Sequence, residues 1–232
     1  MGMRIPGQKI VHKVFFHPLQ KKTKTPQNSK KNPGAFVRQN FPLFNTPIDL
    51  AHYLWKTFLQ KSSLNGKYVI DATCGNGKDS FFLATILESL KEKNTTLYCI
   101  DIQEKAFLAT QKLLEGSKGQ IQFILGSHER LPATKDQIEL IVYNLGYLPG
   151  GDKSLTTTLS STLSSIKCAI DCLAEGGLIS ITCYPGHPEG KKEEEALSAF
   201  LSTLDTRFFC FTAFYFQNRL CSPSLFLIQK TL

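Results

Sequence analysis

The stretch VIDATCGNGKDSFFLA, residues Val69–Ala84, ends an apolar run on Asp71, continues through two glycines, Gly75 and Gly77, and opens an apolar-periodic segment at once. Bare backbone between a strand and a helix is where a ligand can approach the main chain, because glycine adopts positive φ and carries no Cβ. Three chemistries share this outline. A P-loop is excluded, since no GxxxxGK[ST] occurs anywhere in the chain. A dinucleotide fingerprint asks for a third glycine where this chain has Ser80, and for an uncharged turn that welcomes pyrophosphate on the helix N-terminus. Here Asp71 and Asp79 flank the turn instead, which disfavours a phosphate and favours a cation.

Working outward, strand and helix patterns alternate on both sides. Upstream, NTPIDLAHYLWKTFLQ reads as a helix with Thr46 as its N-cap and Pro47 at the first helical position. Downstream, the pattern predicts strands over Tyr68–Ala72, Thr96–Asp101, Ile121–Leu125 and Ile138–Tyr143. Helices are predicted over Asp79–Glu92 and Glu104–Leu114, and a long one over Thr156–Ala174. The pair Gly176-Gly177 then ends that helix and launches a strand, Leu178–Cys183. A helix over Glu193–Leu204 and two aromatic strands, Phe208–Phe216 and Leu225–Gln229, complete the chain. Apolar strands separated by helices imply a mostly parallel sheet covered on both faces. NRLCSPS, between the last two strands, is too short for a helical crossover, so those strands pair antiparallel. The expected architecture is a Rossmann-like α/β fold with a seven-stranded sheet, one strand reversed.

Composition divides the chain in two. Of 27 Lys and Arg in 232 residues, nine fall in residues 1–40, which contain no Asp or Glu, and the rest of the chain is nearly neutral. We read residues 1–40 as a basic, flexible arm and residues 41–232 as the folded domain. Three roles fit the arm: contact with a phosphate backbone, a solubilising tail, or an organelle transit peptide. The last suffers from having seven Lys to two Arg and only Ser29. No apolar run reaches the length of a membrane span, and no signal-peptide core opens the chain. Seven cysteines without a CxxC pair read as reduced thiols of a cytoplasmic protein, with no metal site expected.

At successive predicted strand ends stand further candidates for the ligand. Asp101 follows the second strand, where an acid accepts hydrogen bonds from both ribose hydroxyls, and Gln103 adds a contact to ribose or adenine. Ser127 and His128 follow the third, beside the adenine edge. With Asp71, Gly75, Asn76, Gly77 and Asp79 they form a site for S-adenosylmethionine, which carries a sulfonium and an ammonium and no phosphate. NAD or a purely structural turn are the alternatives.

The segments DATCGNGKD, IDIQ, LGSHE, NLGYLPGGDK and YPGHPEG, in that order from about residue 45 to the C-terminus, resemble the bacterial rRNA methylase family. Characterised members of that family are tRNA 5-(aminomethyl)-2-thiouridine methyltransferases acting on the wobble uridine. The resemblance implies a class I methyltransferase fold and a cofactor site at Asn76, Asp79, Asp101, Gln103, Ser127 and His128. The basic arm is longer than the family usually carries.

For the methyl acceptor, Asn144-Leu145-Gly146-Tyr147 resembles the N-P-P-Y tetrad of amino methyltransferases. There the Asn oxygen and the next carbonyl accept the two amine hydrogens, and the aromatic stacks on the base. Leu145 and Gly146 depart from the two prolines, so rigidity must come from elsewhere, such as Pro149 and Gly150-Gly151. Asp152 and His187 are candidate acceptors of the amine proton, although Asp152 is equally placed to cap a helix and Tyr147 to fill a core. Tyr184 and His187 line a second wall, in a loop that Pro185, Gly186, Pro188 and Gly190 would also fix as a plain turn. The expected activity is methylation of tRNA in its anticodon region. Methylation of rRNA or a protein amide, and non-catalytic RNA binding, are the rivals. A homodimer is allowed by the sequence but not required.

Overall fold

The computed structural model describes residues 45–91, 94–146 and 157–232. Their elements run α1 (Pro47–Leu59), β1 (Tyr68–Asp71), α2 (Lys78–Leu90), β2 (Thr96–Asp101), α3 (Glu104–Leu113), β3 (Gln120–Leu125), β4 (Ile138–Asn144), α4 (Leu159–Cys172), β5 (Leu173–Cys183), α5 (Pro188–Leu201), β6 (Phe209–Phe214) and β7 (Ser224–Lys230). The arm, Glu92 and Thr156 of the expected helices, and residues 147–155 lie outside the described residues.

Seven strands form one sheet in the order β3-β2-β1-β4-β5-β7-β6. Every neighbour pair is parallel except those made by β7, which runs antiparallel to both β5 and β6. The reversed strand is the one joined by the short NRLCSPS connection, as expected. The chain works outward from β1 to β3 and then returns to lay β4 on the other side of β1. The switch point therefore falls between β1 and β4, and their carboxyl ends flank one crevice.

Alternation along each strand feeds two separate cores. Val69, Cys99, Leu140 and Val142 pack with Trp55 and Leu59 of α1 and Leu83 and Leu87 of α2. Ile70, Ile100, Ile141 and Tyr143 pack with Ile166 and Ala169 of α4 and Leu197 and Leu201 of α5. Covering both faces explains why the central strands read as continuous apolar runs. Thr46 caps α1 in a full capping box with Asp49, and Pro47 follows in the first turn.

Several boundaries differ from the pattern, two of them with a clear physical cause. The expected helix to Ala174 ends at Cys172, because Leu173 is extended and pairs with Ile138 in the sheet. The glycines thus lie inside β5: Gly176, at φ 74°, occupies the stretch where the register slips between Ile138 and Leu140. Burial of Leu173 and Ala174 in the sheet outweighs their helical propensity. Conversely, α5 begins at Pro188 rather than Glu193, with His187 as its N-cap and proline in its first turn. A cluster of Pro and Gly that reads as loop is here the opening turn of a helix.

Candidate functional site

The crevice is built on the turn after β1. Gly75 and Gly77 take φ values of 53° and 77°, both left-handed. Gly77 is the N-cap of α2 and offers no side-chain cap. A Cβ on Gly77 would lie 2.9 Å from the Thr110 Cα of α3, so this glycine serves close packing of α3 as well as ligand approach. Thr110 Oγ1 donates to the Gly75 carbonyl at 3.0 Å, which fixes the turn from the same side. Asn76 stands exposed at the turn's tip.

Asp101, at the end of β2, reaches back to this turn. Its Oδ2 accepts from the Gly75 N–H at 2.8 Å and its Oδ1 from the Gln103 N–H at 2.8 Å. The half-buried carboxylate is thereby locked in orientation, and each oxygen retains a second lone-pair direction for a ligand. Ser127, at the tip of β3, has its hydroxyl engaged by Glu129. His128 lies edge-on to Tyr143, with ring centroids 6.0 Å apart. Burial pushes its pKa down, so the imidazole is neutral at pH 7, and its Nδ1 is buried without a hydrogen-bond partner among the described residues.

Asp71 is placed beneath the turn, 1% exposed, accepting from Ser80 Oγ at 2.6 Å and from the Thr73 N–H at 3.3 Å. Burial, with the charge of Asp79 behind it, lifts its carboxyl to about 7. The sign follows from which state holds the proton. Between about pH 4 and 7 the folded chain keeps a proton that the unfolded chain has released, so stability from this group is complete below about pH 4 and declines as pH rises towards 7. Asp71→Asn should therefore flatten the fall in melting temperature between pH 5 and pH 8. At pH 8 it should melt higher than the parent by on the order of 2–4 °C for each kcal/mol recovered. Calorimetry at the two pH values checks this, and parallel curves for parent and variant would contradict it.

The acceptor side is tied to the same turn. At the end of β4 the Asn144 N–H donates to Thr73 Oγ1 at 2.7 Å, and Asn144 Nδ2 donates to Asp79 Oδ2 at 3.1 Å. An ionised carboxylate only accepts, so the amide nitrogen must be the atom turned to Asp79. The Asn144 Oδ1 is left buried and without a hydrogen-bond partner among the described residues. Such an atom is costly unless something is meant to bind it. The other oxygen of Asp79 accepts from His52 Nε2 of α1 at 2.7 Å.

Leu145 is buried in the core, and its N–H donates to the Thr182 carbonyl. Gly146 takes φ 130°, and its N–H donates to Thr157 Oγ1 at 3.1 Å. The rigidity missing from a proline pair comes from these bonds and from Glu193, which accepts from Thr162 at 2.7 Å and from Thr157 at 3.4 Å. Burial raises the pKa of Glu193. Both flanks of the segment 147–156 are thus held by one anchored carboxylate. Tyr147 and Asp152 lie outside the described residues.

Tyr184, after β5, places its ring beside Gly146, where a Cβ would meet Cδ2 at 3.8 Å. Burial and the Asp79 charge push its phenol up to about 12, against a weaker polar contact with Asn144. His187 does not fit the role of proton acceptor through Nδ1. That atom accepts from the Gly190 N–H at 3.0 Å and caps α5, which puts any neutral-ring proton on Nε2. Capping α5 thus removes Nδ1 as a base.

Sequence reasoning missed His52, Thr73, Thr110, Thr157 and Glu193. All act through contacts between distant segments. Three carboxylates, Asp71, Asp79 and Asp101, gather around the turn, a setting that fits a cationic adenosyl ligand. Among the described residues no group of three or more His, Cys, Asp or Glu is disposed to hold a metal ion. No helix among them is long and apolar enough to cross a membrane.

Comparison with known proteins agrees with this chemistry. A family model described as "Putative rRNA methylase" matches residues 97–230. The chloroplastic tRNA (mnm(5)s(2)U34)-methyltransferase of Arabidopsis thaliana is 36% identical over 191 residues, spanning 78% of this chain and 68% of that protein. A structure from Clostridium thermocellum described as a "putative rRNA-methylase" superposes with a TM-score of 0.71 at 31% identity, covering 80% of this chain and 97% of that one. A Streptococcus mutans protein described as "a putative methyltransferase", in complex with SAH, superposes with a TM-score of 0.65 at 32% identity, covering 79% of this chain and 97% of that one.

Proposed function

This chain belongs to the rRNA methylase family and is an S-adenosylmethionine-dependent methyltransferase, and we propose that its acceptor is the primary amine of 5-aminomethyl-2-thiouridine at the wobble position of tRNA. The product is the 5-methylaminomethyl nucleoside. One observation supports this acceptor above the others. A buried amide oxygen, Asn144 Oδ1, without a hydrogen-bond partner among the described residues, is fixed beside the cofactor turn, where it can only accept a hydrogen. The relative's name points to the same nucleoside.

The cofactor, when bound, supplies a methyl carbon made electrophilic by its sulfonium. Asp101 accepts from the ribose hydroxyls, aided by Gln103, while Gly75, Asn76 and Gly77 present backbone and Ser127 and His128 border the base. Asp71 holds the turn from beneath, and Asp79 faces the cation with its charge while orienting Asn144. On the acceptor side, Asn144 Oδ1 and the Leu145 carbonyl accept the amine hydrogens and leave the lone pair directed at the methyl group. Tyr147 stacks on the uracil, Tyr184 and Gly146 close the opposite wall, and Asp152 takes the proton that an alkylammonium must lose before attack. His187, in the same loop as Tyr184, contributes to the substrate wall. Transfer RNA from cells lacking this protein should accumulate the unmethylated aminomethyl nucleoside. An unchanged nucleoside profile would refute the acceptor.

The basic arm extends the reading to the partner. Removing residues 1–40 should weaken tRNA binding and flatten its dependence on salt, with cofactor affinity unchanged, because fewer counterions are released. Identical salt slopes for the two forms would refute an RNA role. The relative carries a chloroplastic name, so N-terminal sequencing of the native protein separates a retained arm in the cytoplasm from a cleaved organelle leader.

A further inference from the structure

His52 lies on α1, ahead of the first strand and outside the five motifs quoted for the family resemblance. Its imidazole is nevertheless held with unusual definition. The ring stacks on Phe82 with centroids 3.9 Å apart and planes 9° from parallel, and is tilted against Trp55 at 5.0 Å. Its Nε2 sits 2.7 Å from Asp79 Oδ1, with the two side chains only 24% and 13% exposed. Asp79 Oδ2 in turn takes Asn144 Nδ2. The three side chains form one line that runs from α1 through the first turn of α2 to the tip of β4.

The order of donors and acceptors along this line is forced. Asn144 can present either its oxygen or its NH2 to the crevice, and only the oxygen can hold an amine by its hydrogens. Which one faces inward depends on Asp79 remaining an acceptor. Other acidic groups lie near Asp79: Asp71 of β1 and Asp101 of β2 share the turn, Asp49 faces His52 from α1, and the neutral Tyr184 phenol closes the far side. A protonated Asp79 would donate to Asn144 and let the amide turn over, so what the other oxygen of Asp79 meets decides the amide's orientation. The imidazole supplies an N–H to Asp79 in both of its protonation states, provided Nε2 carries the proton.

We propose that His52 is a positioning residue for the acceptor amine: by donating to Asp79 it keeps that carboxylate on Asn144 Nδ2 and so fixes Asn144 Oδ1 towards the substrate. This rests on the reading of Asn144 as the amine holder. It assigns a role in methyl transfer to a helix that precedes the nucleotide-binding sheet, and couples the cofactor turn to the acceptor tetrad through one carboxylate.

Two variants separate the donor from the ring. His52→Phe keeps the stack on Phe82 and Trp55 and removes the N–H, whereas His52→Gln keeps a donor within reach of Asp79. The first readout needs neither cofactor nor tRNA: the side-chain amide pair of Asn144 in nitrogen-resolved spectra of the full chain. In the parent this pair should be shifted and slow to exchange. In His52→Phe its protection should fall about tenfold or more, and His52→Gln should restore it. The second readout is kinetic. With tRNA as substrate, His52→Phe should lower kcat about tenfold while the dissociation constant for S-adenosylhomocysteine stays within about twofold, and Gln should recover most of the rate. An Asn144 signal untouched by His52→Phe would overturn the proposal, as would a loss of cofactor affinity equal to the loss of rate. If neither variant folds, a rapidly exchanging Asn144 pair in the parent overturns it alone, and a protected pair that collapses on protonation of the carboxylate at low pH supports it. Should the spectra behave as expected while the parent fails to methylate aminomethyl tRNA, the acceptor assignment is what fails.

Discussion

Asn144→Ala should lower kcat about a hundredfold with tRNA as substrate and leave the dissociation constant for S-adenosylhomocysteine within about threefold of the parent value. The asymmetry comes from the placement of the side chain. Its amide nitrogen is spent on Asp79, and its oxygen is buried with no hydrogen-bond partner among the described residues. Truncation removes the group that orders the amine hydrogens and leaves the turn after β1 standing, because the Asn144 backbone N–H still donates to Thr73. An amine that is no longer aligned with the breaking bond reacts slowly however well the cofactor is held. Steady-state kinetics and calorimetry on the same preparation read the two quantities. Equal losses in both would mean that Asn144 belongs to the cofactor site instead.

Asp101→Ala should give the opposite signature. Its carboxylate fixes the Gly75 and Gln103 N–H groups and, in our account, accepts from the ribose. Charge-assisted hydrogen bonds are worth about 1.5–3 kcal/mol each, so the dissociation constant for S-adenosylhomocysteine should rise between roughly 10- and 100-fold. At saturating cofactor kcat should recover much of its value, because Asn144 lies across the crevice at the end of β4. A variant that binds the cofactor normally would remove Asp101 from the site. The stability change should be modest, since water can reach the freed backbone groups of a half-exposed turn.

These contrasts mark what could be read from residue order. The strand ends were legible because buried parallel strands are nearly continuous apolar runs, and the residue after each run must stand at the sheet's crest. Asp71, Asp101 and Asn144 were found in that way. The direction in which each side chain turns was not legible. Asp71 points down to Ser80, since the first buried hydroxyl of α2 meets it there. His187 looked like a base because it sits in a polar loop, yet its Nδ1 takes the place of the Ser, Thr, Asp or Asn usual at a helix N-cap. Gly77 looked like a ligand contact, and it is equally a packing contact with Thr110.

The supporting network was invisible for a simpler reason. His52 and Asp79 are 27 positions apart, and Thr73 and Asn144 are 71 apart. No local pattern connects such residues, because the pairing is made by the sheet order that puts β1 beside β4 and by α1 packing on α2. The boundary of α4 failed on the same ground: Leu173 has helical neighbours in sequence and a strand neighbour, Ile138, in space.

The most direct test of the site as a whole is transfer of a labelled methyl group from S-adenosylmethionine, by the purified full chain, to tRNA whose wobble uridine carries the aminomethyl group. Digestion to nucleosides should show the label on that amine, with none in the same tRNA lacking the aminomethyl group and none in ribosomes. Label on a ring carbon, on ribosomal RNA or on protein, or no transfer at all, would contradict the assignment of the crevice between β1 and β4 as an amine-methylating site.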